Sequence, residues 1–301
     1  MVSVVIRARD ASRDLDRCLN GLKRQVLPEG VELEIVVVDN DSRDDSRAVA
    51  ERHGAVVVSI SQAEFSWGRA LNRGIAKARG DIVILLSSDV TPADESWLGH
   101  MIEPFREPDV GIVYGRQLPY PDAPVDERVR LRRTFGDQVI VQDGRQQIED
   151  TGRGVVASNA CAAIRRCLWQ EQPYDEQTSG GEEGPFTRQA LRRGFRSFYW
   201  PAARACHSHR DGLWKYACRE WEILHKNLAY AGMRWRKRSL LRWWAGVAKR
   251  RLVNCLGPGV PLYYRIEGLL RLPLDLGACV IVGVLMFPER SRRKVRQVFW
   301  R

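Results

Sequence analysis

Ile82-Val83-Ile84-Leu85-Leu86-Ser87-Ser88-Asp89-Val90-Thr91-Pro92 is the stretch that decides the fold. A continuous apolar run of strand length ends in two serines and a carboxylate, and a proline then breaks the pattern. Unbroken rather than alternating apolar strands belong to parallel sheets covered on both faces. In such open sheets the crevice beyond the strand C-termini is where ligands bind. Asp89 is therefore placed to meet a ligand or a metal. Read in isolation, it would serve equally well as a cap for the following turn.

The same strand-then-acid pattern recurs. Ile35-Val36-Val37-Val38 runs into Asp39-Asn40-Asp41-Ser42, and Val2–Ile6 runs into Arg7-Ala8-Arg9-Asp10. Ala55–Ile60 and Val110–Tyr114 are further short apolar runs. Between them lie helical faces: Leu15, Cys18, Leu19, Leu22 and Val26; Ala70, Leu71, Gly74, Ile75 and Ala78; and Trp97, Leu98, Met101, Ile102 and Phe105. The spacing predicts three helices, the second stopped near Gly80 and the third at Pro108. Alternating strands and helices make βαβ units, so residues 1–115 are expected to form an α/β fold with a mostly parallel sheet and helices on both faces.

The 301 residues, 44% of them hydrophobic and 28% charged, carry no low-complexity tract. Seven cysteines without a CxxC pair suit reduced thiols and argue against a zinc site. The run Val2–Ile6 meets charges at once, so no signal peptide is expected. Charge is uneven: from Arg204 onward 21 Lys and Arg face 6 Asp and Glu, a balance of +15, whereas residues 1–203 balance at −4. Two regions with different tasks are implied: an acidic-leaning core, 1–212, and a basic, Trp-rich extension, 213–301.

Several motifs stand in a telling order. They are Arg7-Ala8-Arg9-Asp10, Val38-Asp39-Asn40-Asp41-Ser42, Phe65-Ser66-Trp67-Gly68-Arg69-Ala70-Leu71-Asn72, and Ser87-Ser88-Asp89. Val113-Tyr114-Gly115-Arg116-Gln117-Leu118-Pro119, Ser158-Asn159-Ala160-Cys161, Gly181-Glu182-Glu183 and Cys206-His207-Ser208-His209 follow. Over residues 1–212 the set resembles a family 2 inverting glycosyltransferase with the GT-A fold, in the bacterial branch that builds cell-surface polysaccharides.

The resemblance implies roles for particular residues. Asp39 matches the acid that hydrogen-bonds the base of a nucleotide-sugar donor, and Asp10, where the family usually has Asn, helps form that pocket. Arg69 and Asn72 match a helix that approaches the nucleotide. Ser87-Ser88-Asp89 stands where the family has Asp-x-Asp: Ser88 and Asp89 fall at the donor diphosphate, and the first carboxylate is replaced by Ser87. Asp89 would then hold a divalent cation, Mg²⁺ or Mn²⁺, together with His207 and His209. The missing Asp leaves the cation requirement open, with tail Arg or Lys as an alternative counter-charge. Glu183 falls at the position of the catalytic base and Glu182 beside it; inversion by direct displacement needs one such base. Asn159 is expected at the donor sugar or acceptor. Trp200, like Trp169 and Tyr174, could stack on a sugar ring or pack in the core.

Beyond residue 212, Ala217, Trp221, Leu224 and Leu228 make one helical face, and Leu241, Trp244, Ala248 and Leu252 another. Trp235, Trp243 and Trp244 lie among Arg234, Arg236, Lys237, Arg238 and Arg242. Basic helices with interfacial tryptophans suit an anionic membrane surface. Leu276–Phe287 is too short to span a bilayer, which needs about 20 residues. A cytoplasmic enzyme at the inner face of the cell membrane is expected, acting on a glycan or lipid-linked acceptor. Nucleic acid is disfavoured as a partner, because no recognition fold accompanies the basic residues. Two other readings stay open at this point: a sugar nucleotidyltransferase, which would normally show a Gly-rich phosphate loop, and a non-catalytic docking protein with a degenerate glycosyltransferase core.

Overall fold

The computed structural model describes residues 1–144, 158–177 and 180–209, with Ala245, Gly246, Lys249 and Ile266 beyond them. The helical faces expected at 217–228 and 241–252 and the apolar run 276–287 lie outside the described residues, apart from helical Ala245, Gly246 and Lys249. Two compact units divide the chain: residues 1–120 with 134–208, and residues 121–133 with 209–301.

The first unit is built on one sheet. Strands β1 (Val2–Ala8), β2 (Leu33–Asp39), β3 (Val56–Ser59) and β4 (Ile82–Ser87) alternate with helices α1 (Ser12–Lys23), α2 (Ser46–Arg52) and α3 (Trp67–Lys77). There follow β5 (Thr91–Pro92), α4 (Trp97–Ile102), β6 (Val110–Leu118), β7 (Ile140–Gln142), β8 (Cys161–Arg165), α6 (Arg166–Glu171), α7 (Glu183–Arg192) and β9 (Arg196–Cys206), while α5 (Val125–Thr134) falls in the second unit but for its last residue. The strand order is β3-β2-β1-β4-β8-β6-β9-β5, with β7 also pairing β9. Strands β3, β2, β1 and β4 are mutually parallel, β8 is inserted antiparallel between β4 and β6, and β9 runs parallel to β6. Six of the nine strands thus share one direction, as the unbroken apolar runs predict, and β5, β7 and β8 oppose them.

Alternation along β1 explains why apolar residues lie on both of its faces. Val4 and Ile6 join the core cluster that contains Leu15, Leu19 and Leu22 of α1. Val5 faces the other way, toward Gly74 of α3. Ser3, just before them, is fully buried and donates to Glu34 while accepting from the Gly80 N–H.

Two helices end earlier than their periodicity predicts. Helix α1 stops at Lys23 and leaves Val26 65% exposed. The Gln25 amide accepts from Leu98 N–H and donates to the carbonyls of Gly21 and Asp94, so the chain turns toward the 94–98 segment instead of continuing the helix. Helix α4 stops at Ile102, and a 3-10 turn over Glu103–Arg106 follows. Pro104 lacks the N–H that another helical turn needs.

What places the site is the edge at which strands end. The chain leaves β1 for β2 and β3 on one side and returns to β4 on the other, so the C-termini of β1 and β4 flank a topological switch point. Because β8 is antiparallel, its N-terminal end, preceded by Ser158 and Asn159, lies at that same edge. Between β6 and β9 the register jumps, Gly115 facing Trp200 and Arg116 facing Arg204. The three extra residues form a bulge that resets the alternation before β9 reaches the edge. A Cβ on Gly115 would lie 2.8 Å from the Ala203 carbonyl oxygen, so this crossing needs glycine.

Candidate active site

Asp39 closes β2 at that edge, 5% exposed, and its Oδ1 is buried without a hydrogen-bond partner; Asn40 Oδ1 beside it is in the same condition. Two buried acceptors without donors are costly unless a ligand supplies them. Asp10, after β1, adopts φ 45°, a left-handed conformation that Asp tolerates. Its Oδ1 accepts from Arg43 N–H at 2.7 Å and its own N–H donates to Ser42 Oγ at 3.0 Å. The loops after β1 and β2 are thereby laced into one rim.

Ser87, Ser88, Asp89 and Val90 form a tight turn closed by Val90 N–H to the Ser87 carbonyl, and Ser88 N–H bonds to the carbonyl of Arg7. Asp89 Oδ2 lies 3.5 Å from His207 Nε2. His207 is buried at the end of β9, where its N–H donates to the carbonyl of Leu118. Two residues further along the chain comes His209. Asp89, His207 and His209 each offer a ligand atom, all within 4.8 Å of one another. Tyr120 ties the parts together: its hydroxyl donates to the Asp89 carbonyl at 3.1 Å and its N–H donates to Ser208 Oγ. Burial pushes the Tyr120 phenol up to about 12, so it stays protonated at neutral pH.

The two carboxylates at the start of α7 differ in environment. Gly180 and Gly181, at φ 124° and 78°, make the turn that delivers them. Glu182 is 4% exposed and committed: Arg7 Nη1 lies 3.4 Å from its Oε1, and Asn159 Nδ2 donates to the same oxygen at 3.2 Å. Arg7 in turn lies over the Trp67 ring at 4.7 Å. Glu183, the first residue of α7, is half-buried.

Other expected residues take structural partners. Arg69 Nε donates to Glu176 at 2.7 Å and Nη1 donates to the carbonyl of Glu64. Asn72 Nδ2 donates to Glu176 and to the Tyr174 carbonyl, and its Oδ1 accepts from Trp169 Nε1 and Tyr174 N–H. In this structure both residues clamp the 172–177 segment onto α3. Asn159 holds Glu182 and accepts from the Tyr174 hydroxyl. Trp200 sits in β9 packed against the core, with its Nε1 buried and unpartnered.

The model of glycosyl transferase family 2 matches residues 3–171. The chain belongs to this family. Among curated relatives of this glycosyltransferase, the O-antigen chain rhamnosyltransferase WbaN of Salmonella anatum is 28% identical over 180 residues, which make up 58% of this chain and 56% of that protein. The O-antigen chain rhamnosyltransferase RfbN of Salmonella typhimurium is 26% identical over 237 residues, 73% of this chain and 74% of that one. The chain thus aligns with little more than half the length of the first and about three quarters of the second.

Solved structures show the GT-A fold. A mannosyltransferase from Pyrobaculum calidifontis, solved with GDP-Man and Mn²⁺, superposes with a TM-score of 0.58 at 15% identity, covering 94% of this glycosyltransferase and 86% of that chain. Glucosyl-3-phosphoglycerate synthase from Mycobacterium tuberculosis, with Mn²⁺, UDP and phosphoglyceric acid, gives 0.55 at 19% identity, over 78% and 79% of the two chains.

Two residues of the site receive no role from the sequence. Arg7 and Gln117 lie inside the quoted motifs, and each is a polar residue near the C-terminal end of a mainly apolar strand. That placement was the available signal.

Proposed function

We propose that this glycosyltransferase moves a sugar from a nucleoside-diphosphate donor to a glycan or lipid-linked acceptor, with inversion, in the assembly of a cell-surface polysaccharide. The observation that carries the reading is the convergence, at one sheet edge, of unpartnered Asp39 Oδ1, the Asp89–His207–His209 group and the Glu182–Glu183 loop. The names of the O-antigen relatives support the polysaccharide context.

Asp39 would accept from the donor's base, and the rim made by Asp10, Ser42 and Arg43 would border the nucleoside. One carboxylate and two imidazoles fit a divalent cation, and the mixed oxygen–nitrogen set suits Mn²⁺ better than Mg²⁺, which demands oxygen. Such an ion, when bound, neutralises the charge that develops on a leaving diphosphate. Loss of the first motif carboxylate at Ser87 is offset by the neighbouring imidazoles, since such cations need few protein ligands beside substrate phosphates. Glu183 would take the proton of the acceptor hydroxyl. Glu182, already engaged by Arg7 and Asn159, is the weaker candidate base and instead fixes the loop.

A thermal-shift panel of nucleoside-diphosphate sugars with and without Mn²⁺ tests this, because a ligand bound to the folded state raises Tm by mass action. At least one donor should stabilise the protein, more so with Mn²⁺, and Asp89→Ala should remove the Mn²⁺ increment. A panel in which no donor binds or turns over would overturn the reading.

A further inference from the structure

We propose that Gln117 is a positioning residue for the cation site: it locks His207 in the tautomer that turns an imidazole lone pair toward Asp89. This rests on the reading of Asp89 and His207 as cation ligands. Gln117 lies on β6, which pairs in parallel with β9, so that Gln117 and Leu118 stand beside Ala205 and Cys206. It is a primary amide at 3% exposure in a strand whose other residues from Val110 to Gly115 are buried. Such an amide is costly there unless both of its ends are used.

Both ends are used. Gln117 Oε1 lies 2.7 Å from His207 Nδ1, and Gln117 Nε2 donates to Ser158 Oγ at 2.8 Å. An amide oxygen can only accept, so Nδ1 must carry the ring proton. In neutral imidazole the other nitrogen then holds the lone pair, and that nitrogen, Nε2, is the one 3.5 Å from Asp89 Oδ2. In this structure Ser158 Oγ accepts from Nε2, which leaves Oε1 as the end that faces His207. A flipped Gln117 would present its NH₂ to Nδ1, move the proton to Nε2 and aim an N–H where a cation ligand is needed. Outer partners of this kind are typically worth about 10–100-fold in metal affinity.

The same chain of contacts reaches the base loop. Ser158 precedes Asn159, whose amide holds Glu182, so one short segment before β8 anchors both the histidine's partner and the loop carrying Glu183.

Mn²⁺ titration of the full chain, followed by the electron paramagnetic resonance of free Mn²⁺, reads the role without turnover. Nitrogen-15 shifts of the histidine rings in the metal-free protein report the tautomer. The wild-type His207 should show a protonated Nδ1 and bare Nε2. Gln117→Met keeps the volume but cannot accept, so Mn²⁺ affinity should fall about 10–100-fold and the tautomers should mix. Gln117→Glu still accepts from Nδ1–H and should hold affinity at or above the wild-type value; a purely packing role would not separate these two variants. A wild-type His207 protonated on Nε2 overturns the proposal even if Gln117→Met does not fold. Equal Mn²⁺ affinity in wild type and Gln117→Met, or equal loss in both variants, also overturns it. Wild-type protein that takes up no Mn²⁺ while showing the Nδ1–H tautomer removes the cation reading and this role with it.

Discussion

At the scale of single residues, neighbouring carboxylates with the same side chain receive different environments. Glu182 is buried against Arg7 and Asn159, whereas Glu183 begins α7 with part of its surface open. A base must reach the acceptor proton, and a buried carboxylate already engaged by a guanidinium and an amide is poorly placed to do so. Glu183→Gln should therefore lower turnover by about 10²-fold or more while donor binding persists. Glu182→Gln should disturb KM and stability more than chemistry, because it strands the buried Arg7 charge. Steady-state rates with donor affinity measured separately distinguish the two, and a normal rate in Glu183→Gln alongside an inactive Glu182→Gln would exchange the roles. The residues around them show how far pattern reading extends. The placement of Asp39 and Asp89 at the sheet edge was legible because each follows an unbroken apolar run of strand length. Arg69 and Asn72 stood in an equally suggestive motif, yet this structure engages them with Glu176 and the Tyr174 backbone. Those partners lie about a hundred residues away, beyond any local pattern.

That clamp belongs to the scale of elements. Helix α3 and the 172–177 segment meet through Asn72, Arg69 and Glu176, and hydrogen bonds from Asn72 and then Arg69 hold the Glu176 carboxyl below its ordinary range. A lowered folded-state pKa means a contribution that is complete above the unfolded value, about 4.3. It declines as pH falls between the unfolded and folded values and is gone below the folded one. Glu176→Gln should therefore melt below the wild type at neutral pH, and the gap should close in acid. A half-exposed pair of this sort contributes at most about 1 kcal/mol, or about 2–4 °C in a domain of this size. Melting curves from pH 7 to pH 3 check it, and a gap independent of pH would assign the contact no electrostatic part. The bulge in β9 also belongs here. Its existence could not be read from Tyr199-Trp200-Pro201-Ala202-Ala203, yet it sets how the strand arrives at His207.

For the whole molecule, charge separates the chain into a core near neutrality and a strongly basic remainder, +15 from Arg204 onward. Among the described residues no helix is long and apolar enough to cross a membrane. We propose that the basic, Trp-rich segment attaches the enzyme to an anionic membrane surface, where a lipid-linked acceptor would lie. Each Lys or Arg near such a surface contributes about 1 kcal/mol and is screened by salt. Sedimentation of the full chain with anionic vesicles should show binding that weakens but persists as ionic strength rises, the tryptophans supplying the salt-resistant part. Indifference to anionic vesicles at low salt would assign the segment to packing or to a protein partner.

The strands, most of the helices and the acids at strand ends were determined by sequence, because local periodicity and burial on both faces leave a direct imprint on residue order. The GT-A architecture was what the resemblance of the ordered motifs implied. Tertiary structure alone decided the antiparallel insertion of β8, which carries Asn159 to the edge of the parallel strands. It also decided the different surroundings of Glu182 and Glu183, and the pairing of Gln117 with His207 across 90 residues. These depend on which side chains meet after the sheet is assembled. A hydrogen bond between distant residues constrains each of them only through the other, so neither position reveals it alone.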